Sequence, residues 1–177
     1  MRKVFIDCGA HKGQSVRYFR ENFKDAREYE VHSFEPNTDL HDLLRLQKSK
    51  IHKEAVWIED GEIDFYKAQQ SQGATLVLGK TTANIDYDNP IKVPCISLSH
   101  WIKESFDKED YIVLKLNVEG AEYEILFQMM RDKTIDYIDE LYVEFHSNKI
   151  PGKKKFEEEI RNALGDKIID WVILPNS

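Results

Sequence analysis

Val4-Phe5-Ile6-Asp7-Cys8-Gly9-Ala10-His11-Lys12-Gly13 is the stretch on which the reading of this chain turns. An apolar run stops at an acid, passes into two glycines, and is followed by Val16, Phe19 and Phe23 at helical spacing. That order is expected where a buried parallel strand hands over to a helix through a tight turn. Glycines there let the backbone approach a ligand that a side chain would block. The next apolar segment, Val31-His32-Ser33-Phe34, ends at Glu35. Its distance from the glycines is about the ~20 residues at which nucleotide-binding α/β domains set a carboxylate against ribose hydroxyls. Together the turn and the acid point to an adenosyl cofactor.

Outward from this stretch, strand and helix patterns alternate, which predicts an α/β fold: a mostly parallel sheet with helices on both faces. Glu35-Pro36 ends the second strand, and Asn37 or Thr38 can cap a helix carrying Leu40, Leu43 and Leu44. Ile51 to Ile58 reads as a third strand, and Asp60-Gly61 before Glu62-Ile63-Asp64-Phe65-Tyr66 as a hairpin turn. From Ala68 to Pro90 the chain is polar and turn-rich, a candidate acceptor-binding loop that carries Gln69, Gln70, Gln72, Thr75, Thr81, Thr82, Asn84, Asp86 and Tyr87. Ser97 or Ser99 can cap a short helix through Trp101 and Ile102. Tyr111 to Asn117 and Leu141 to Phe145 read as further strands, separated by a helix with Ile125, Leu126 and Met129 inward. Phe156, Ile160 and Leu164 define a last helix before a strand over Ile168 to Leu174. No linker or repeat divides the chain, so residues 1–177 are expected to form a single domain.

Composition narrows the function classes. The 177 residues carry a net charge of −7, and Lys153-Lys154-Lys155 is the longest basic run, which argues against nucleic acid as a partner. The two cysteines suggest no disulfide framework: Cys8 reads as a buried thiol in the first strand and Cys95 as inert packing. No apolar stretch approaches membrane-spanning length, and the first strand begins too early to leave room for a signal peptide. A soluble, cytoplasmic protein is expected, its partner a small molecule or glycan.

Gly9 and Gly13 form G-x-x-x-G, not the G-x-G-x-x-G of dinucleotide binders, and Gln14 stands where a P-loop would place its lysine. A short glycine loop with a ribose-reading acid suits a cofactor without phosphates, and S-adenosylmethionine is one. Phe5-Ile6-Asp7-Cys8-Gly9-Ala10-His11-Lys12-Gly13-Gln14-Ser15 and Ser33-Phe34-Glu35-Pro36 resemble the opening motifs of the FkbM-type methyltransferase family. Glu54-Ala55-Val56 with Asp60-Gly61 and Ile63-Asp64-Phe65-Tyr66 is similar to its middle segment. Lys115-Leu116-Asn117-Val118-Glu119-Gly120-Ala121-Glu122 resembles its Lys-Ile-Asp-Val-Glu-Gly-Ala-Glu signature, and Glu144-Phe145-His146 its Glu-x-His.

The resemblance implies a class I, Rossmann-like methyltransferase fold, S-adenosylmethionine as methyl donor, and a hydroxyl acceptor on a sugar, glycan or secondary metabolite. Carried over, Asp7, Gly9, Ala10 and Gly13 would cradle the methionine portion, Glu35 would take the ribose hydroxyls, and Glu54 and Ala55 would border the adenine. His11 and Asn117 complete the cofactor set, although an exposed turn explains His11 as well. Two positions depart from the pattern: Asn117 replaces the signature's aspartate, and Leu98-Ser99 a usual Leu-Asp pair. Class I methyltransferases usually finish with an antiparallel pair, so either the sheet is a strand short or another segment fills that edge. An asparagine cannot act as a base, which leaves His146 as first candidate, with Glu144, Glu119 and Lys115 behind it. Glu119 and Glu122 also suit the positive end of a helix dipole. With Asn117 in place of an acid, no metal is expected. A catalytically silent S-adenosylmethionine-binding module and a nucleotide-dependent oxidoreductase are the rival readings.

Overall fold

The computed structural model describes residues 1–69 and 73–172. The chain runs β1 (Lys3–Cys8), α1 (Gln14–Asn22), β2 (Glu30–Phe34), α2 (His41–Arg45), β3 (Lys50–His52), β4 (Ala55–Trp57), β5 (Gly61–Phe65), β6 (Ile91–Ser97), α3 (Leu98–Ser105), β7 (Tyr111–Leu116), α4 (Glu122–Arg131), β8 (Glu140–Val143), α5 (Lys154–Leu164) and β9 (Ile168–Asp170). Six strands form one sheet in the order β3-β2-β1-β7-β8-β9, every neighbouring pair parallel. The order runs outward from β1 to β3 on one side and from β7 to β9 on the other. The β1–β7 boundary is therefore the switch point, where open parallel sheets leave a crevice over their carboxyl ends.

Alternation along the central strands fills both faces. Val4, Ile6 and Cys8 of β1 join Ile112, Leu114 and Leu116 of β7 in a core covered by Leu98 and Ile102 of α3, Ile125, Leu126 and Met129 of α4, and Ile160 of α5. Phe5, Val31 and Val113 point the other way, onto Val16 and Phe19 of α1. Phe5 and Phe19 stack with ring centroids 4.0 Å apart. The uninterrupted burial of β1 and β7 is why both read as continuous apolar runs. Two residues expected on inward helix faces are instead exposed: Leu43 at 46% and Phe156 at 38%, the latter edge-on to Phe127. Among the described residues, no helix is long and apolar enough to cross a membrane.

The expected third strand and hairpin are rearranged. Lys50–His52 pairs with β2, but Ala55–Trp57 leaves for a second sheet of order β4-β6-β5. The departure buries Ala55 and Val56, which an edge position beside β3 would not. Asp60-Gly61 does turn the chain, yet β4 and β5 do not pair with each other. Ala55 and Gly61 both face Cys95, one from each side of β6. Asp60 is drawn away from hairpin geometry because its Oδ1 accepts the Ser97 N–H at 2.9 Å, at the start of α3. Ser97 caps that helix by accepting the His100 N–H, and Asn37 accepts the Asp39 N–H before α2. Of the strand expected over Ile168 to Leu174, residues 173 and 174 lie outside the described residues, as do Gln70 and Gln72 of the polar segment. Among the described residues the main sheet ends at β9, which is parallel to β8.

Gly9 shows how tightly the switch point is closed. Its φ is +76°, and a Cβ there would lie 1.9 Å from the Asn117 carbonyl oxygen. Gly9 is thus required first by the approach of β7, before any ligand is considered. Gly152 has φ +84° with open space around it. Gly152→Ala is expected to cost about 1–2 kcal/mol, the left-handed strain alone. Gly9→Ala should cost at least about 2 kcal/mol more, because backbone must also move. Equal urea-unfolding losses for the two variants would contradict the close approach.

Candidate active site

A cavity of about 910 Å³ opens over the carboxyl ends of β1, β2, β7 and β8, with Ala55 and Val56 at the start of β4 also lining it. Its floor is the turn after β1. Gly9 and Ala10 both donate their N–H to the Phe34 carbonyl, at 3.1 and 3.0 Å, so the turn is anchored to β2. Lys115, fully buried on β7, donates through Nζ to the carbonyls of Cys8 (3.1 Å) and Gly9 (2.9 Å). The same ammonium lies 2.9 Å from Asp7 Oδ1, an ion pair although its angle falls short of a hydrogen bond. Gly13 ends the turn with φ +84° as the N-cap of α1.

Glu35 is buried at the end of β2 and lines the cavity. Its Oε2 accepts the His11 N–H at 2.9 Å and its Oε1 the Asn37 N–H at 2.8 Å. Burial pushes this carboxyl up, and the two backbone donors partly offset the shift. Each oxygen retains a lone pair for a further donor.

The opposite wall is an ionic network built on the turn from β7 into α4. Glu122 accepts the N–H groups of Val118 and Gly120, both at 2.9 Å, and so closes the start of its own helix. His146 Nδ1 lies 3.0 Å from Glu122 Oε1, and its Nε2 lies 3.3 Å from Glu119 Oε2 without hydrogen-bond alignment. Lys80, from the polar segment over 68–90, donates to Glu119 and to the Gly73 carbonyl. Thr75 Oγ1 donates to the Glu119 carbonyl at 2.7 Å, and Thr81 donates through N and Oγ1 to the Lys149 carbonyl. The described residues of the segment have almost no regular structure yet are tied to the core. Nearer the opening, Asn117 Nδ2 donates to Glu144 Oε2 at 2.6 Å.

The expected site residues separate into two groups. Gly9, Ala10, His11, Glu35, Ala55, Lys115, Asn117, Glu119 and Glu144 line the cavity, whereas Asp7, Gly13, Glu54 and His146 do not. Asp7 and Gly13 support the turn from behind, and Lys115 is held by the turn it supports, which does not suit it to move protons. His146 is fully buried. Burial opposes its charge, but Glu119 and Glu122 outweigh it and raise its pKa to about 9. An imidazolium at neutral pH cannot take a proton, so the first candidate for general base is displaced by its own neighbours. Burial alone would raise Glu119, yet His146 and Lys80 hold it down at about 2. Among the described residues no group of three or more His, Cys, Asp or Glu is arranged to hold a metal ion. Lys80, Lys149, Phe65 and Trp171 also line the cavity. Phe65 falls in the stretch similar to the family's middle segment and Lys80 in the candidate acceptor-binding loop, but no local pattern singles either out, and nothing in the surroundings of Lys149 or Trp171 marks them.

The network gives stability a defined pH dependence. His146 is raised from 6.5 to about 9, so its contribution is complete below pH 6.5 and is lost as pH rises towards 9. Glu119 is lowered from 4.5 to about 2, so its contribution is complete above pH 4.5 and is lost as pH falls towards 2. In His146→Gln, the difference in urea midpoint from the parent should shrink between pH 6.5 and 9. A constant difference across that window would remove His146 from the ion pairs.

A family model described as a methyltransferase FkbM domain matches residues 7–169. Among solved structures, the chain is similar to the crystal structure of methyltransferase FkbM from Methylobacillus flagellatus KT, with 15% identity and a TM-score of 0.45. The similarity covers 74% of this chain and 30% of that one, so this chain spans less than a third of that protein's length. No protein among the curated ones matches. With the model covering nearly the whole chain, from the acid at the end of β1 to β9, the chain belongs to the FkbM methyltransferase family.

Proposed function

We propose that the chain is an S-adenosylmethionine-dependent O-methyltransferase acting on a hydroxyl of a sugar, glycan or secondary metabolite. The observation that carries this reading is Glu35: a buried carboxylate beside the switch point, oriented by two backbone N–H groups, with a lone pair left on each oxygen. A vicinal diol presents two donors to match. The donor set fits an adenosyl cofactor, and the glycine turn beside it lacks the spacing that a pyrophosphate needs. Ligand cavities run to about 300–1,000 Å³, and at about 910 Å³ this one leaves room for an acceptor beside a cofactor.

When bound, S-adenosylmethionine supplies an electrophilic methyl group on a sulfonium. The chain's own part is to orient the acceptor hydroxyl and remove its proton. Asn117 lacks the basicity and His146 already carries a proton, which leaves Glu144 as proton acceptor. Its side chain is 40% exposed, lines the cavity and is fixed by Asn117. The polar segment over 68–90 brings Thr75, Lys80 and Thr82 to the same cavity; Thr75 and Lys80 already donate to Glu119, and the Thr82 hydroxyl suits a hydroxylated acceptor.

Calorimetry with S-adenosylhomocysteine and NAD on the purified protein tests the cofactor. Glu35→Gln, which keeps one acceptor oxygen for the backbone, should weaken S-adenosylhomocysteine binding at least about tenfold, given ~1.5–3 kcal/mol for a hydrogen bond to a charged group. Preference for NAD would replace the reading with an oxidoreductase. Glu144→Gln should lower methyl transfer by roughly 10²-fold with cofactor affinity unchanged. Cofactor binding with no transfer to any hydroxyl tested would favour a silent binding module.

A further inference from the structure

The strand ends of β7 and β8 bring Asn117 and Glu144 together, and their backbones leave neither free to drift. Asn117 donates its N–H to the Cys8 carbonyl at 3.2 Å, and its own carbonyl stands where a Cβ on Gly9 would fall. Glu144 donates its N–H to the Leu116 carbonyl at 2.9 Å. From these fixed points the side chains meet at 2.6 Å, Asn117 Nδ2 donating to Glu144 Oε2. That is the short end of charge-assisted hydrogen bonding. We infer that Asn117 is a positioning residue, fixing the Glu144 carboxylate in the cleft by this one hydrogen bond. The inference deepens the reading of Glu144 as proton acceptor and rests on it for its catalytic consequence.

The identity of residue 117 decides the charge at this point. Only an amide nitrogen, not an amide oxygen, can face an ionised carboxylate. Aspartate has nearly the same shape, but it would set carboxylate against carboxylate at the same distance, and such a pair retains a proton. The charges nearest Glu144 are already engaged. Lys80, from the 68–90 segment, pairs with Glu119, and His146, from the turn after β8, lies between Glu119 and Glu122. His146 Nε2 is 3.7 Å from Glu144 Oε1, so it already serves that carboxylate and two others. Lys149 and Lys115 line the same cavity, the latter paired with Asp7. A second acid at 117 would therefore have to share a proton with Glu144.

Carboxyl carbon NMR on Asp- and Glu-labelled protein, titrated with pH, tests the contact without needing activity. In Asn117→Asp, the new carboxyl and Glu144 should titrate as a coupled pair with one proton held well above the ordinary carboxylate range. In Asn117→Asp combined with Glu144→Gln, the coupling should vanish. The acid limb of the methyl-transfer profile should move up by about one pH unit or more in Asn117→Asp. Asn117→Ala should lower kcat about tenfold in the parent but add no further loss in Glu144→Gln, a dependence that a merely structural role would not give. Independent titration of the two carboxyls, or an unchanged pH profile in a variant whose carboxyls are coupled, overturns the inference. Full methyl transfer by Glu144→Gln would instead sink the reading of Glu144 as base, and the titration separates that failure from failure of the contact itself.

Discussion

Lys115 is the charge around which the centre of this fold is arranged. Its ammonium lies inside the sheet with no solvent contact, facing Asp7 on the neighbouring strand and the carbonyls of Cys8 and Gly9 beyond it. An isolated buried ammonium would cost several kcal/mol, and removing one member of a buried pair typically costs about 3–5 kcal/mol. The pair therefore constrains its surroundings: β1 and β7 must lie in register, and the turn must bring two carbonyls over the ammonium. That demand is met only by a chain that reverses direction immediately after Cys8, with a residue at position 9 that tolerates positive φ and has no side chain. The glycine turn, the close approach of Asn117 and the crevice at the switch point all follow from the same buried charge.

A second ionic arrangement does for the far wall what Lys115 does for the floor. Among its described residues, the segment over 68–90 has two isolated bridges, Tyr66 with Thr75 and Ala68 with Ile85, and little else of regular structure. Beside the bonds of Thr75 and Thr81, its ionic anchor is Lys80, nearly fully buried, on Glu119, with His146 behind. Glu119 reaches both cations from a left-handed backbone conformation at φ 55°, a strain of order 1–3 kcal/mol that its surroundings must overcome. A loop secured by buried charges rather than by a ladder can be released as a unit when one charge is lost. It is preorganised under neutral conditions and vulnerable at either extreme of pH.

How much of this was legible in the sequence depended on how local the cause was. The first strand, the glycine turn, the capped start of α3 and the acid at the end of β2 are set by residues within a few positions of one another, and they lie where the pattern put them. Asp60-Gly61 carried an equally clear local signal for a hairpin, but the partner strand comes some thirty residues later and inserts between the two arms. Turn chemistry cannot register such a competitor. His146 shows the same limit in its chemistry: a histidine after a strand end suits a base until Glu119 and Glu122 close on it. The resemblance located Glu144 and Asn117 but not their contact, since nothing in the spacing of β7 and β8 fixes which side chains meet.

The two networks together explain why the chemistry is assigned to a single acid at the strand ends. Glu119 and Glu122 are neutralised by Lys80 and His146, and Asp7 by Lys115, so these charges are spent within the protein. Glu144 differs in being held by a neutral amide and in keeping a large exposed fraction, which leaves its remaining lone pairs to whatever enters the cleft. The cation beside it, His146 Nε2, stands 3.7 Å away and is divided among three carboxylates, so Glu144 has a weaker hold to release than Glu119 before it can accept a proton. A carboxylate clamped by lysine, as Glu119 is, would have to give up that partner first. The replacement of an acid by Asn117 thus does more than remove a charge: it leaves one carboxylate oriented by an amide, with His146 as a more distant cation, beside the place where an acceptor hydroxyl would lie.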